Sequence, residues 1–342
     1  MRKIVRVNCN LFIKMYLMSH DDLPIVDDFC RALVIENGRT LQSFSFGVFW
    51  HGKFSIARKD GSLKRFVQNV SKELYERDKV SNIVVILMED GNITSQMANW
   101  DARVKRWHDK SCRENKKFFL GTLAQVIQEP YHNFRYIYLP LDDDFFDNGV
   151  TASISKHHVP WEKKKSDLCW RGACSGYGGL ESVRARFLRK IFEIKDSLKN
   201  NLNVDADNVR LTREHSRLRN YPREYFAEPA NDTLDFKEFM KYKIFFIIDG
   251  NVIASSHMWG LAAGCVPFLI SNARCWFSSF LVPYYHYVPV DYDLSDLYQK
   301  IEWVLEHDHE AKRIAENALA FADFVFSSQF QKHYLLSKFG AA

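Results

Sequence analysis

The sequence predicts an α/β protein with largely parallel sheets, because short apolar runs alternate with helical patterns over most of its length. The runs at 82–90 (NIVVILMED) and 134–141 (FRYIYLPL) are typical of buried strands. The second half contains three more strand-like runs, at 242–249, 265–270 and 286–290. The 342 residues exceed the usual size of one domain, so we expect two domains, each with its own core.

Three amphipathic helices complete the pattern. The first begins near Leu180, and apolar residues at helical spacing indicate two more at 297–305 and 311–325. Asp293 or Ser295 is expected to cap the second of these helices. Helices that follow strands in this order favour crossover connections between parallel strands.

The domain boundary is predicted near 145–165, where the sequence is polar and shows neither helical nor alternating pattern. We therefore expect an N-terminal domain over 1–150, a C-terminal domain over 151–325 and a C-terminal tail over 326–342. No internal repeat or low-complexity linker interrupts them.

Net charge and composition limit the partners and the cellular location that we expect. A net charge of +5 is too small to argue for nucleic acid, so nucleic acid is not an expected partner. Basic clusters at 163–165 and 210–224 leave open an anionic partner or a membrane surface, with solvated surface as the alternative. The seven cysteines are scattered without a C-x-x-C pair, which favours reduced thiols. With neither a signal peptide nor a membrane span, we expect a cytoplasmic protein, at most peripheral to a membrane.

The segment 168–192 (LCWRGACSGYGGLESVRARFLRKIF) places an arginine and several glycines just before a helix. Backbone N–H groups at a helix N-terminus favour a phosphate, and Arg171 can add a bidentate contact. Gly172 and Gly176 allow close approach of the backbone, while Ser175 adds a hydroxyl donor. The alternative is a glycine turn in which Arg171 forms an ordinary ion pair.

A second candidate loop follows the run at 242–249. Asp249, Gly250 and Asn251 form a turn, and Ser255 and Ser256 stand before the next apolar segment. Ligands of α/β sheets collect at the carboxyl ends of strands, so the serines can meet a phosphate, and Asp249 or Asn251 a sugar or ribose hydroxyl. The alternative is a plain turn followed by a helix cap.

Two acidic groups complete the candidates. Glu89 and Asp90 end a buried strand, where a carboxylate can act as general base on a hydroxyl; ordinary turn chemistry is the alternative. Asp142, Asp143 and Asp144 invite a metal hypothesis, but nothing nearby completes a ligand set and a solvated turn is favoured. We therefore predict no metal site.

The order WRGACSG, YKIFFIIDGN and HYVPV followed by DLSDL resembles family 90 of the glycosyltransferases, over about residues 160–325. That family includes protein O-glucosyltransferases, capsule xylosyltransferases and bacterial lipopolysaccharide glycosyltransferases. The resemblance implies a GT-B-like architecture, in which two Rossmann-like domains face across a cleft and the C-terminal one holds a UDP-sugar donor. It further implies inverting transfer to a hydroxyl of a glycan acceptor, without a metal or other cofactor.

The same resemblance suggests roles for single residues. Arg171 and the glycine turn after it would bind the diphosphate, with Arg184 as the second arginine, although Arg186 remains an alternative. The IDGN loop and the serines after it would line the donor site. Asp90 matches the general base by its place at a strand end of the first domain.

One departure from the family points to a source. Eukaryotic members usually carry an arginine after the serine of the IDGN loop, and bacterial-type members lack it; this chain has Ser255, Ser256 and His257 there. A bacterial or viral enzyme is therefore the better match, in the cytoplasm of the bacterium or host, acting on lipopolysaccharide core, surface polysaccharide or a viral glycan. The alternative function is a non-catalytic family member that binds a glycan or nucleic acid.

Overall fold

A computed structural model describes most of the C-terminal half and parts of the N-terminal half. The described residues are 29–37, 39–47, 68–73, 75–77, 79, 81–87, 102–122, 124–126, 136–140, 154, 157–173, 181–198, 202–210, 234–250, 253–254 and 256–340. The chain divides into two compact units. The N-terminal unit comprises Met1–Phe146, Arg274–Trp276 and Ser328–Ala342, and the C-terminal unit comprises Asp147–Ala273 and Phe277–Ser327.

The N-terminal unit is built on a five-stranded mixed sheet with strand order β2-β1-β3-β4-β6. Its strands are β1 (Phe29–Glu36), β2 (Arg39–Gly47), β3 (Asn82–Leu87), β4 (Lys117–Thr122) and β6 (Tyr136–Tyr138). Strand β1 pairs antiparallel with both β2 and β3, whereas β3 and β4, and β4 and β6, pair in parallel. A separate pair joins β5 (Ala124–Val126) to β11 (Ala273–Cys275).

Helix α1 (Ala102–Arg113) lies between β3 and β4 in the chain, and α7 (Ser328–Gly340) ends this unit. The predicted strands at 82–90 and 134–141 are confirmed in their described parts as β3 and β6, and β6 ends before Leu139. The expected C-terminal tail contains α7, which the sequence analysis did not predict.

The C-terminal unit contains parallel strands, β7 (Leu168–Ala173), β8 (Val204–Arg210), β9 (Ile244–Ile248), β10 (Val266–Ile270) and β12 (Val288–Pro289). Strand β7 pairs with β8, and β10 pairs with both β9 and β12. A parallel bridge between Lys165 and Tyr242 joins the segments that lead into β7 and β9. The prediction of a mixed α/β protein with parallel sheets is confirmed.

The helices of this unit are α2 (Val183–Ile194), α3 (Phe236–Phe239), α4 (Ser256–Trp259), α5 (Leu297–Glu306) and α6 (Asp308–Val325). The three predicted amphipathic helices correspond to α2, α5 and α6. The predicted cap of α5 is wrong, because the helix begins after Asp296. Asp293 instead accepts a hydrogen bond from the Ser295 N–H in the turn before it, at 2.9 Å.

Aromatic rings form the centre of this unit's core. The ring of Phe187 on α2 lies 5.6 Å from Trp170 on β7 and 4.9 Å from Phe246 on β9. Phe246 in turn lies 5.5 Å from Phe268 on β10. Burying a ring of this kind contributes about 1.5–3 kcal/mol, so these contacts hold α2 against β7 and β9. None of the helices in the described part of the chain is both long and apolar enough to cross a bilayer.

Candidate functional site

A cavity of ≈ 40 Å³ lies in the C-terminal unit, lined by residues of β7 and β9 and by Arg184 near the start of α2. Its polar lining comes from Arg171 and Gly172 on β7, Arg184 on α2 and Ser256 on α4. All four were predicted as site residues. They are up to 85 residues apart in the chain, and the parallel strands bring them together.

Aromatic side chains supply the apolar part of the cavity lining. Trp170, Phe239, Phe245, Phe246 and Trp259 also line the cavity. Rings of this kind exclude water, which lowers the local dielectric and strengthens any charge interaction made there. The cavity therefore combines two fixed positive charges with an apolar wall.

Arg171 is held mainly by strand β8. Its Nη1 donates to the carbonyl oxygens of Trp170 at 3.1 Å and Asp205 at 2.8 Å, and its Nη2 pairs with the Asp205 carboxylate. Its Nε is buried without an acceptor. The ion pair considered for Arg171 does exist, and the same side chain lines the cavity.

Arg184 occupies the first turn of α2, whose N-cap is Ser182. Its Nη2 donates to the carbonyl oxygen of Ile248, the last residue of β9, at 3.0 Å. Arg186 contacts a different place, donating to the Tyr292 carbonyl oxygen at 2.9 Å with its guanidinium 5.5 Å from that ring. Arg184 therefore lies in the cavity lining with Arg171, and Arg186 is directed towards Tyr292.

Gly172 lies where a side chain would collide with its neighbour. A Cβ built on Gly172 would stand 2.5 Å from Cζ2 of Trp170, a contact far shorter than carbon atoms adopt. The backbone of Gly172 does not enter the left-handed region, so its φ angle does not require glycine. The packing of Trp170 does require it.

Asp249 is buried, and its carboxylate accepts hydrogen bonds from other residues of the C-terminal unit. Its carboxylate accepts from the Ser271 hydroxyl at 2.7 Å and the Asn272 N–H at 2.8 Å. The Nε2 of His257 lies 3.1 Å from the same group, and the His257 Nδ1 lies 3.2 Å from the Ala254 nitrogen. Asp249 thus fastens the end of β9 to the residues after β10 and to α4.

The role of His257 was missed by the sequence analysis, which treated it only as a departure from the family pattern. A histidine eight residues after an aspartate at a strand end carries no local signal for such a contact. The predicted contact of Asp249 with a sugar hydroxyl stays a prediction.

Burial also controls the ionisation of groups beside the cavity. It raises the pKa of the Cys169 thiol to about 11, with a further increase from the Asp205 carboxylate that outweighs Arg171. Burial likewise raises the pKa of Tyr292 to about 12, despite Arg186 and Arg184 nearby. Both groups are therefore neutral at physiological pH.

Several predicted site residues lie outside the described part of the chain. These are Asp90, Ser175, Gly176, Asn251 and Ser255, and their roles stay predictions. Gly250 is described and lies partly buried beside Asp249.

Metal binding was considered for the acidic run at 142–144, which also lies outside the described residues. Among the residues that the structure does describe, no group of three or more His, Cys, Asp or Glu side chains is placed to hold a metal ion.

Comparison with known proteins identifies the family. The model of glycosyl transferase family 90 matches residues 150–337, which is more than half of the chain. The chain belongs to glycosyl transferase family 90. The resemblance drawn from the motifs is confirmed, and every described residue that lines the cavity falls within the family-90 match.

Individual relatives match over part of their length. Uncharacterized protein 179R of Invertebrate iridescent virus 6 is 30% identical over 190 residues, covering 49% of this chain and 16% of that protein. Protein O-glucosyltransferase 2 of Danio rerio is 32% identical over 174 residues, covering 50% of this chain and 31% of that protein. The matched regions thus span less than a third of either relative. A glycosyltransferase structure from Rickettsia africae gives a TM-score of 0.46 at 12% identity, covering 86% of this chain and 84% of that one.

Proposed function

We propose that this family-90 protein transfers a sugar from a UDP-sugar to a hydroxyl group of a glycan acceptor. The observation that carries the proposal is the convergence of Arg171 and Arg184 on one cavity, within the part of the chain that matches the family. Two guanidinium groups that line one cavity, one from a strand and one from the first turn of a helix, suit a diphosphate.

The chemistry follows from where charge develops. When the sugar leaves the donor, negative charge grows on the β-phosphate of UDP. Arg171, Arg184 and the start of α2 would stabilise that charge as it forms, and the aromatic lining would strengthen the interaction by excluding water. Fixed cations of this kind take the place of a divalent metal, so we propose metal-independent transfer.

The nucleoside and sugar parts of the donor need a larger site than this cavity. Small-molecule sites usually have about 300–1,000 Å³, whereas this cavity has ≈ 40 Å³. We propose that the turn at 174–180, with Ser175 and Gly176, completes the diphosphate site and that Asn251 and Ser255 extend it. Asp249 would act by holding that loop in place through its buried contacts.

The acceptor half of the reaction belongs to the other part of the chain. We propose a GT-B-like arrangement, with an acceptor domain over 1–150 and a donor domain over 151–325. Asp90 would deprotonate the acceptor hydroxyl as UDP departs, with inversion at the sugar carbon. Matches to proteins of iridescent viruses support a viral source. We therefore propose a viral surface glycan, made in the host cytoplasm, as acceptor, with a bacterial polysaccharide or lipopolysaccharide core as the alternative. Peripheral contact with a membrane belongs to the same proposal.

Release of UDP from a panel of UDP-sugars, measured without acceptor, tests the donor half. We expect slow UDP release from one donor and a rise in melting temperature with UDP, because a ligand that binds the folded state stabilises it. Arg171→Ala should lower the rate of release about 100- to 1,000-fold, to a residual but measurable rate, with the fold retained. Asp90→Asn should abolish transfer once an acceptor glycan is supplied.

Two results would contradict the proposal. The donor assignment is wrong if no UDP-sugar is hydrolysed and UDP does not shift the melting temperature. That outcome would leave the non-catalytic glycan-binding or nucleic-acid-binding function. Near-normal transfer by Asp90→Asn would refute the assignment of the base alone.

A further inference from the structure

The guanidinium of Arg171 is oriented from the neighbouring strand. In the parallel β7–β8 ladder, Cys169 lies opposite Asp205 and Arg171 lies opposite Asp207. The Arg171 side chain therefore reaches back by two positions along β8 to meet both the carbonyl oxygen and the carboxylate of Asp205. Two separate acceptors on one residue fix the plane of the guanidinium as well as its position.

The contacts of Arg171 leave some of its N–H donors without a partner in the protein. A guanidinium has five N–H donors in a rigid fork. Two contacts use Nη1, on the carbonyl oxygens of Trp170 and Asp205, and one contact uses Nη2, on the Asp205 carboxylate. Two donors remain, namely the second N–H of Nη2 and the Nε–H, which is buried and lacks an acceptor within the protein. Such a donor raises the free energy of the folded protein unless a ligand satisfies it.

The solvent exposure of the Arg171–Asp205 ion pair indicates that it does more than stabilise the core. The Asp205 side chain is 40% exposed, whereas that of Arg171 is 14% exposed. A carboxylate with this much access to water could remain solvated without a partner at little cost. Asp205 offers both its carbonyl oxygen and its carboxylate to Arg171. These contacts therefore fix the orientation of the arginine more than they stabilise the pairing of β7 and β8.

We propose that Asp205 is a positioning residue for Arg171, and that it holds the guanidinium in the orientation in which its unused N–H donors can meet an anionic leaving group in the cavity. This inference rests on the proposed function, since it needs a phosphate to approach Arg171. Without the Asp205 carboxylate, Nη1 keeps its two contacts with backbone carbonyl oxygens but Nη2 loses its partner. The guanidinium plane can then turn about Nη1, so its charge remains while its orientation is no longer fixed. The loss should therefore appear in turnover more than in substrate binding.

A double-mutant cycle on UDP release tests the coupling, using whichever UDP-sugar the wild-type protein hydrolyses fastest. The variants are Asp205→Asn, Arg171→Ala and the two combined. We expect Asp205→Asn to lower kcat at least tenfold while KM changes less than threefold. In the Arg171→Ala background the same substitution should lower kcat by less than twofold, because the group that it positions is gone. Asp205→Glu, which keeps the charge, should recover part of the lost turnover.

Asp167→Asn is the matched control. Asp167 also joins the segments that begin β7 and β8, accepting from the Asn203 N–H at 3.1 Å, but the structure gives it no contact with Arg171. Its removal should leave kcat within twofold of wild type. Melting temperatures of the Asp167 and Asp205 variants should shift by similar small amounts.

The outcomes separate this inference from the function on which it rests. If the wild-type protein neither hydrolyses a UDP-sugar nor binds UDP, the proposed function fails and takes the inference with it. If the wild type turns over but Asp205→Asn matches it, only the positioning role is overturned. Independent, additive effects of Asp205→Asn and Arg171→Ala would overturn it as well.

Discussion

Replacement of Gly172 by alanine separates two reasons for a glycine beside the cavity. The sequence suggests that glycine lets the backbone approach a phosphate. The structure adds that a Cβ would lie 2.5 Å from Cζ2 and 2.9 Å from Cη2 of Trp170. If packing is the reason, Gly172→Ala destabilises the protein even when no ligand is present.

The size of the effect follows from the surroundings of Trp170. The clash falls about 1 Å short of the ~3.5 Å at which carbon atoms pack. Trp170 is 5% exposed and packs on Phe187 at 5.6 Å, so its ring can shift only by disturbing that contact or by entering the cavity that it lines. Overpacking of a core destabilises a protein by about 1–3 kcal/mol. Alanine also lowers the conformational entropy of the unfolded chain, which stabilises the folded protein by about 0.4–1 kcal/mol. We expect a net loss of about 1–2 kcal/mol.

Urea denaturation followed by circular dichroism measures this loss, with the same substitution repeated in a Trp170→Leu background. Leucine lacks the two ring atoms that clash, so the cost of Gly172→Ala should largely disappear there. The packing explanation is refuted if Gly172→Ala leaves the free energy of unfolding unchanged or raises it. A stable Gly172→Ala protein that no longer binds UDP would support the ligand explanation instead.

Three further predictions concern the arginines, the buried carboxylate and a thiol. Arg184→Ala should lower kcat/KM for UDP release about 10- to 100-fold, because a charge-assisted bond is lost, while Arg186→Ala stays near wild type; the reverse order would transfer the role to Arg186. Asp249→Asn should lower the free energy of unfolding by about 1–3 kcal/mol in urea titrations, and unchanged stability would show that its contacts are dispensable. Since burial raises the pKa of Cys169 to about 11, its thiol is protonated below that pH. Iodoacetamide at pH 8 should therefore label the exposed Cys112 and spare Cys169 until the protein unfolds, as peptide mass spectrometry would reveal.

Much of the fold was predictable because it depends on short-range pattern. The runs at 242–249, 265–270 and 286–290 became β9, β10 and β12, and the helical spacing after 180 became α2. A strand or helix buries a periodic face, and that period is written in neighbouring residues. The hairpin of β1 and β2 was missed, although Asn37 and Gly38 are a strong signal for a two-residue turn and Asn37 has a φ of 46°.

The candidate site was predictable only in part. The motifs and the family resemblance predicted Arg171, Gly172, Arg184 and Ser256 as site residues, and the structure places all four in the lining of one cavity. Such motifs work from sequence because the carboxyl ends of parallel strands share one edge of a sheet.

Only the tertiary structure decided which partners these residues have. Arg184 meets the end of β9 while Arg186 turns to Tyr292, a choice set by the rotation of α2 on the sheet. Asp205 reaches Arg171 from 34 residues away, through the register of β7 and β8. Parallel strands pair through long crossovers, so the residues that touch across them are fixed by register and packing, and no spacing in the sequence records them.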